Sequence, residues 1–476
     1  MKKILLGVAI AASFSTPAFA ASDFGAKVEH LLKAQAFKYF GFVKPITDSA
    51  SAQVDRVPGQ NANDLIKLAT GLHATILTRK AAHVSDMFAF WPSEENPTHT
   101  IWCNEGGRVQ LDNGKYNPSV QAIDLISGEV TTIVRGMRSC DGIRLTSWGT
   151  ILATEERSDG GAYEIMDVLN TNATISDRAT GANDDPAHVV KRTALPMISW
   201  EGLTVLDSGV VIAGDEWRPG TDADDKDGGA MFKFVPENPR SDSGVISDLA
   251  QSPLAAGSVY AMQVSCKDSK QQFGQGCEIG NAGWVSVTAE NARDDADAAG
   301  ATGYYRPEDL HRDPAYDGTG VRFCWTNTGN EGAKNYAEVM CGVDSDPLLA
   351  DSDTRSVVVN RFVEGDSDFN SFDNLAFQPG TGNLYVIEDH PHGDIFACLP
   401  DGKDRDIKSD GCVKVLSVKD ATAEPTGFGF SADGKTAYLS IQHSDDSNCP
   451  AGSDCEDVDG YPTSDIIKIT GFKVPR

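Results

Sequence analysis

The sequence has few long apolar runs, little helical periodicity and few basic residues. No strongly apolar 20-residue stretch follows the N-terminus, so we expect no membrane insertion by a transmembrane helix. Lys and Arg total 41 against 69 Asp and Glu, which leaves a formal net charge of −28. This balance argues against nucleic acid or an anionic membrane as a partner. An anionic ligand would need a local positive source here, and bound divalent cations would supply one.

Several catalytic motifs are also missing. The chain has no G-x-S-x-G elbow, no H-E-x-x-H, no Walker-type loop and no G-x-G-x-x-G after a strand. The absence of C-x-x-C spacing argues against a zinc site. These absences disfavour nucleophilic-serine, zinc-protease and nucleotide-binding chemistry.

The N-terminus resembles a secretory signal peptide over residues 1–20. Lys2 and Lys3 precede the apolar run Ile4–Ala12, and Ala18-Phe19-Ala20 forms an A-x-A cleavage site. We therefore expect a cleaved signal peptide and a periplasmic or secreted bacterial protein.

Ten cysteines occur after the signal peptide, an even number that favours disulfides in an oxidising compartment. Because they mostly fall into close sequential pairs, we expect local bridges within a blade or hairpin. The predicted pairs are Cys103–Cys140, Cys266–Cys277, Cys324–Cys341, Cys398–Cys412 and Cys449–Cys455.

Most of the chain reads as short β-rich runs separated by Gly, Asp, Asn and Pro. Similar strands end in polar groups at intervals of 50–60 residues, with one longer step. The strand ends are Asn104–Glu105, Glu155–Glu156, Asp215–Glu216, Asn327, Glu388–Asp389 and Gln442–His443. The sequence predicts an all-β fold, a six-bladed β-propeller with loop insertions.

We expect residues 21–476 to form this single propeller domain, with an insertion at about 240–300. A short N-terminal helix is expected within Ser22–Phe40, where apolar residues recur every three or four positions. Ala289–Ala301 is expected to be a surface helix or a loop, because its apolar face is small.

Acidic residues recur beside the predicted strands. In a propeller the innermost strands converge on one channel, so acids at equivalent positions would lie together. Oxygen-rich clusters of this kind suit calcium, which takes six to eight oxygen ligands. The expected metal ligands are Glu155, Glu156, Glu201, Asp215, Glu308, Asp373 and Glu424.

Arg306 lies beside Glu308 in the sequence and carries a planar guanidinium suited to phosphate. A salt bridge to a neighbouring carboxylate is the alternative role for this arginine. We expect Arg306 and Asn327 to contact substrate.

An ordered set of motifs resembles the PhoX-type secreted alkaline phosphatases. The set is S-W-G-T-x-L-x-T-E-E (Ser147–Glu156), W-E-G (Trp200–Gly202), G-D-E (Gly214–Glu216), R-P-E-D-L (Arg306–Leu310), T-N-T (Thr326–Thr328), F-D-N-L-x-F (Phe372–Phe377), E-P-T-G-F-x-F-S-x-D-G (Glu424–Gly434) and I-Q-H (Ile441–His443).

This resemblance implies a six-bladed propeller that hydrolyses small phosphomonoesters at an iron and calcium cluster, with metal-ion catalysis. It implies metal or phosphate contacts at Glu201, Arg306, Glu308, Asp373 and Glu424, of which Arg306, Glu201 and Glu308 are the expected catalytic residues. We expect the protein to act as a monomer.

The chain departs from the family pattern at Thr154, where the resemblance implies an iron-ligating cysteine. Trp200 also stands where a histidine is frequent, and no histidine lies between Asn104 and Glu105. Since a thiolate favours iron and oxygen ligands favour calcium, the expected cofactor is Ca²⁺, with Fe³⁺ as the alternative. Two other functions stay open: a catalytically silent calcium-stabilised propeller that binds a ligand or partner, and another calcium-dependent propeller hydrolase such as a phytase or lactonase.

Overall fold

A computed structural model describes residues 24–219, 228–264, 278–400, 411–442 and 449–474. These residues form an all-β, propeller-like fold with 29 strands and four short α-helices. The helices are α1 (Phe24–Ala34), α2 (Ala36–Phe40), α3 (Ala62–Leu65) and α4 (Ala292–Ala299). The predicted signal peptide lies outside the described residues.

The strands are short, as the frequent Gly and Asp turns of the sequence predict. They are β1 (Ile66–Leu68), β2 (His73–Ala82), β3 (Ser85–Trp91), β4 (His99–Asn104), β5 (Pro118–Asp124), β6 (Val130–Arg135), β7 (Cys140–Leu145), β8 (Ile151–Glu155), β9 (Ala162–Ile165), β10 (Ala173–Asp177), β11 (Ala182–Asn183), β12 (Val189–Lys191), β13 (Trp200–Val205), β14 (Val211–Asp215) and β15 (Gly229–Pro236). They continue with β16 (Gly257–Val264), β17 (Gly280–Val287), β18 (Gly303–Tyr304), β19 (Pro307–Arg312), β20 (Val321–Asn327), β21 (Glu338–Asp344), β22 (Val357–Glu364), β23 (Phe372–Phe377), β24 (Leu384–Glu388), β25 (Asp394–Cys398), β26 (Cys412–Val418), β27 (Glu424–Phe430), β28 (Thr436–Gln442) and β29 (Thr463–Thr470).

The described strands form five sheets. Four sheets have the orders β11-β10-β6-β5-β4-β3, β12-β9-β8-β7, β1-β26-β25-β24-β23 and β2-β29-β28-β27. The fifth has the order β13-β14-β15-β16-β17-β22-β21-β20-β19, and β18 pairs with β15 beside it. The early strand β2 pairs antiparallel with the late strand β29, from His73 opposite Thr470 to Ala82 opposite Thr463. This pairing closes the chain on itself.

Six strands lie nearest the centre and follow one another around it: β3, β7, β13, β19, β23 and β27. Apolar side chains between the sheets form the core, and five tryptophans are fully buried there: Trp102, Trp148, Trp200, Trp284 and Trp325. The six inner strands, each in contact with the next, therefore line a shared central channel.

The helices match the sequence expectations in part, since α3 was not predicted. The predicted N-terminal helix is present as α1 and α2, separated at Gln35, and the acidic segment 289–301 contains α4. The described part of the expected insertion carries β16, β17 and α4, so it contributes strands to the largest sheet. No helix among the described residues is long and apolar enough to cross a membrane.

Four of the predicted disulfides are confirmed: Cys103–Cys140, Cys324–Cys341, Cys398–Cys412 and Cys449–Cys455. Cys266 and Cys277 lie outside the described residues. The expectation that each bridge stays within one blade or hairpin is wrong for Cys103–Cys140, which joins β4 of one sheet to β7 of the next. Propeller blades contact their neighbours through their faces, and sequence spacing does not reveal this.

Glycine is required where inner strands approach each other closely. A Cβ at Gly202 would lie 2.0 Å from the backbone nitrogen of Leu310 on the adjacent inner strand. We expect Gly202→Ala to lower the free energy of unfolding by about 2–3 kcal/mol through overpacking. Urea titration would measure this loss, with the exposed Gly244→Ala as the matched control. Equal stability of the two variants would contradict close strand packing at this position.

Candidate metal centre

The second residue of five inner strands is an acid: Asp86, Asp141, Glu201, Glu308 and Asp373. In each strand the antiparallel register shifts just after this acid, for example between Trp200 and Leu203. Such bulges bend a strand and re-aim its side chains. The sixth inner strand, β27, begins with another acid, Glu424. Six strand starts therefore bring carboxylates to one end of the channel.

These acids form two clusters that could each hold a metal ion. In the first cluster, carboxylate oxygens of Asp86, Glu105 and Asp141 lie within 4.8 Å of one another. In the second cluster, oxygens of Glu201, Glu308 and Asp373 meet the same limit. The second cluster contains three of the residues predicted from sequence.

Sequence reasoning missed the first cluster. A signal for two of its members was present, because an acid, any residue and then an apolar residue recur at the inner strands, as in Asp86-Met87-Phe88 and Asp141-Gly142-Ile143. Glu105 directly follows the predicted strand end at Asn104. The pattern is too short to distinguish from turn chemistry without the strand register.

Burial makes these carboxylates hard to ionise together. The pKa values of Asp86, Asp141, Glu201 and Asp373 are raised well above their ordinary values, first by desolvation and then by neighbouring carboxylates. Burial raises the pKa of Glu308 to about 7, although the Arg306 guanidinium opposes the shift. Bound cations remove this conflict, because they compensate the charges that would otherwise repel.

The predicted strand-end residues occupy one equivalent position. Each pairs with the first residue of its inner strand, and all six are buried. The pairs are Asn104 with Ser85, Glu155 with Cys140, Asp215 with Trp200, Asn327 with Pro307, Glu388 with Phe372, and Gln442 with Glu424. The spacing in the sequence therefore does report a repeated structural position.

Two predicted ligands at this position are held by arginines and lie outside both clusters. Glu155 accepts hydrogen bonds from Arg178 at 2.7 and 3.0 Å, and from the backbone nitrogen of Arg138 at 2.9 Å. Asp215 accepts two hydrogen bonds from Arg293, at 2.6 and 2.7 Å. These contacts connect the ends of β8 and β14 to arginines elsewhere in the chain.

Glu156, Glu216 and Asp389 each directly follow a strand end and lie beside the two clusters. Burial and the neighbouring Glu105 raise the pKa of Glu156 well above its ordinary value. Burial and a hydrogen bond with Asp389 raise the pKa of Glu424 well above its ordinary value. Glu216 accepts a hydrogen bond from Arg306. In these pairs of polar residues, the second member borders the clusters.

Arg306 is placed beside the second cluster. Its Nε donates to Glu216, and its Nη1 lies 3.3 Å from Glu308 Oε1. The Arg306 side chain is one-fifth exposed, so part of it is accessible to a ligand. The other expected substrate contact, Asn327, is buried and hydrogen-bonds to Glu338 in its own sheet. The next residue, Thr328, donates to Glu308.

Thr154 is fully buried, and its Oγ1 donates to the carbonyl oxygen of Gly142 at 2.9 Å. Gly142 directly follows Asp141 of the first cluster. A Cβ on Gly142 would lie 2.0 Å from the carbonyl oxygen of Glu201, a member of the second cluster. Thr154, where the resemblance implies a cysteine, therefore contacts Gly142, and Gly142 lies between Asp141 of the first cluster and Glu201 of the second.

The donor atoms fit a hard cation. Asp141 Oδ1 and Glu308 Oε2 are buried and accept no hydrogen bond within the described residues. Both clusters offer carboxylate oxygens, the donors that suit calcium. The eight cysteines of the described residues are all in disulfides, so no thiolate is available there for iron.

Fold and site together define a propeller-like protein whose central carboxylate clusters are able to bind metal ions. The family model described as alkaline phosphatase PhoX matches residues 126–445. The chain belongs to this PhoX alkaline phosphatase family and is a phosphoric monoester hydrolase.

Among solved structures, the chain is similar to PhoX from Pseudomonas fluorescens in complex with vanadate, a transition state analogue. The TM-score is 0.58 at 16% identity, over 89% of this chain and 99% of that chain. A gluconolactonase from Xanthomonas campestris matches with a TM-score of 0.39 at 14% identity, over 90% of this chain and 98% of that chain. No curated protein matches the sequence.

Proposed function

We propose that this chain is an exported phosphatase that hydrolyses small phosphomonoesters at a calcium centre in the channel of a six-bladed propeller. The observation that carries the proposal is the pair of buried carboxylate clusters with Arg306 at the edge of one. Six inner strands, each beginning beside these clusters, support the blade count. In this reading the largest sheet comprises two blades joined through β17.

Calcium would be held by Asp86, Glu105 and Asp141 in one cluster and by Glu201, Glu308 and Asp373 in the other. When bound, it supplies positive charge for a phosphoryl group in a chain that is otherwise strongly acidic. Glu156 and Glu424 border the two clusters and complete the set of candidate ligands.

Arg306 orients the phosphoryl oxygens with the N–H groups that Glu216 and Glu308 leave open. Glu216 fixes the direction of the guanidinium through Nε, and Thr328 holds Glu308 through its hydroxyl.

Export is supported by the N-terminal residues 1–20 and by the four disulfides, which fit an oxidising compartment. Calcium is favoured over iron because Thr154 offers a hydroxyl that is already bonded to Gly142. The alternative, a calcium-stabilised propeller without catalysis, rests on the same threonine and is disfavoured by the family match. A lactonase is disfavoured by Arg306, since a neutral lactone does not require a guanidinium.

Metal analysis and a phosphatase assay separate these functions. We would purify the protein from periplasm, measure bound calcium and iron, and assay p-nitrophenyl phosphate with calcium and with chelator. Calcium-dependent turnover without stoichiometric iron is expected. Full calcium occupancy without turnover would select the non-catalytic propeller.

Arg306→Ala should lower kcat/KM for p-nitrophenyl phosphate by about 10²–10³-fold, because the phosphoryl group loses a charge-assisted, bidentate partner. Arg306→Lys should recover part of this loss, since it restores charge without the planar fork. Arg312→Ala is the matched control, because Arg312 is exposed at the far end of β19, the strand that Arg306 precedes. A loss of stability that accounts for the loss of turnover would instead identify Arg306 as a structural residue.

A further inference from the structure

A groove of about 720 Å³ opens on the side of the first cluster. We call it the basic groove; its cationic lining residues are Arg108, Arg138, Arg178 and Lys191. Its acidic lining residues are Asp159 and Asp177. Four cations against two acids make this an unusual surface in a chain with a net charge of −28.

Backbone contacts connect the basic groove directly to the metal centre. The backbone nitrogen of Ser139 donates to the carbonyl oxygen of Gly106 at 3.1 Å, and that of Glu156 donates to the carbonyl oxygen of Ser139 at 2.8 Å. Gly106 follows Glu105 of the first cluster, and Ser139 follows Arg138. One end of the groove is therefore next to Glu105 and Glu156.

Three of the four cations form no salt bridge with a carboxylate among the described residues. Arg108 donates to the carbonyl oxygens of Gly136, Ile175 and Ser176, and Lys191 donates to those of Arg178 and Ala179. Arg138 is exposed. Arg178 forms ion pairs with Glu155 and Asp159, whereas Arg138 and Lys191 are attracted more weakly to Asp159 and Asp177.

The basic groove also has apolar surface. Val109 and Met197 line it and are 50% and 38% exposed. Cations beside exposed apolar side chains suit an organic molecule that ends in an anionic group.

We infer that the basic groove binds the leaving group of the substrate, and that this group carries a second anion, a phosphate or a carboxylate. The inference rests on the proposed phosphatase function. One phosphoryl group lies at the calcium centre beside Arg306, while the organic body extends past Glu105 and Glu156. Its second anion then lies within reach of Arg138 and Lys191.

Three related substrates test the inference: glycerol 3-phosphate, 3-phosphoglycerate and 2,3-bisphosphoglycerate. The readout is the ratio of kcat/KM for each substrate with a second anionic group to that for glycerol 3-phosphate, which has none. In the Arg138→Gln, Lys191→Gln double variant this ratio should fall about tenfold, as expected for the loss of two partly exposed ion pairs. In the wild type the ratio should decline with added salt.

Lys435→Gln is the matched control, because it removes one positive charge from a hairpin at the opposite face. An unchanged ratio in the double variant, or an equal fall in the control, would overturn the inference while leaving the phosphatase function standing. A larger fall for the bisphosphate identifies phosphate as the second anion, and a larger fall for 3-phosphoglycerate identifies a carboxylate. Failure to hydrolyse any of the three substrates with calcium present would overturn the proposed function itself.

Discussion

Glu201→Gln should stabilise the protein in chelator and destabilise it in calcium. Without metal, Glu201 is buried against Glu308 and Asp373, and its pKa is raised by desolvation and by Glu308. An amide at this position removes one repelling charge and donates a hydrogen bond, so unfolding should cost about 1–3 kcal/mol more. With calcium present, the lost carboxylate weakens the site and the effect reverses.

The pH dependence of the free energy of unfolding provides a second test of the same variant. A carboxyl group whose folded pKa is raised binds more protons in the folded state, so its ionisation destabilises the protein as pH rises from its ordinary pKa through the raised value. In chelator, the wild type should therefore lose stability as pH rises from about 4.3 toward neutral. The Glu201→Gln variant should lose less stability over the same pH range. Thermal unfolding with calcium and with chelator measures both effects, and Glu129→Gln at an exposed position serves as the control. A change in stability of the same sign in calcium and in chelator would contradict a metal site at Glu201.

Asp309→Ala should lower the free energy of unfolding by about 3–5 kcal/mol, because it leaves buried partners without their carboxylate. Asp309 is 2% exposed and connects three inner strands. Its Oδ1 lies 2.9 Å from Arg144 Nη2, and its Oδ2 lies 3.1 Å from both His311 Nε2 and the backbone nitrogen of Leu375. Arg144 and Leu375 belong to the strands that carry Asp141 and Asp373.

These partners lower the pKa of Asp309 to about 2, despite its burial; His311 and Arg144 are the main favourable causes. A lowered folded pKa means that the stabilisation is present above the ordinary aspartate pKa of about 3.9 and is lost as pH falls through about 2. Urea titrations at neutral and acidic pH would measure this, with Asp309→Asn as the conservative variant and the exposed Asp317→Ala as control. A variant as stable as Asp317→Ala would show that the three-strand connection contributes little.

Much of the fold could be predicted because each propeller repeat has a local sequence pattern. Turn residues, short apolar strands and a polar strand end recur with a regular period, and close cysteine pairs follow hairpins such as β20–β21 and β25–β26. The N-terminal helical segment followed from its apolar spacing, whereas its division into α1 and α2 did not. The sheet neighbours were harder, since Cys103–Cys140 and the β2–β29 pairing join segments whose proximity depends on closure of the ring.

For the site, the sequence by itself determined that acids recur in phase beside the predicted strands, Glu201, Glu308 and Asp373 among them. Only the tertiary structure decided which acid of each pair borders the centre. Glu155 and Glu156 look alike in sequence, yet Arg178 binds the first and Glu105 lies beside the second. The reason is physical: strand register and side-chain partners distant in the chain determine where a carboxylate points, and neither is encoded in the residue next to it.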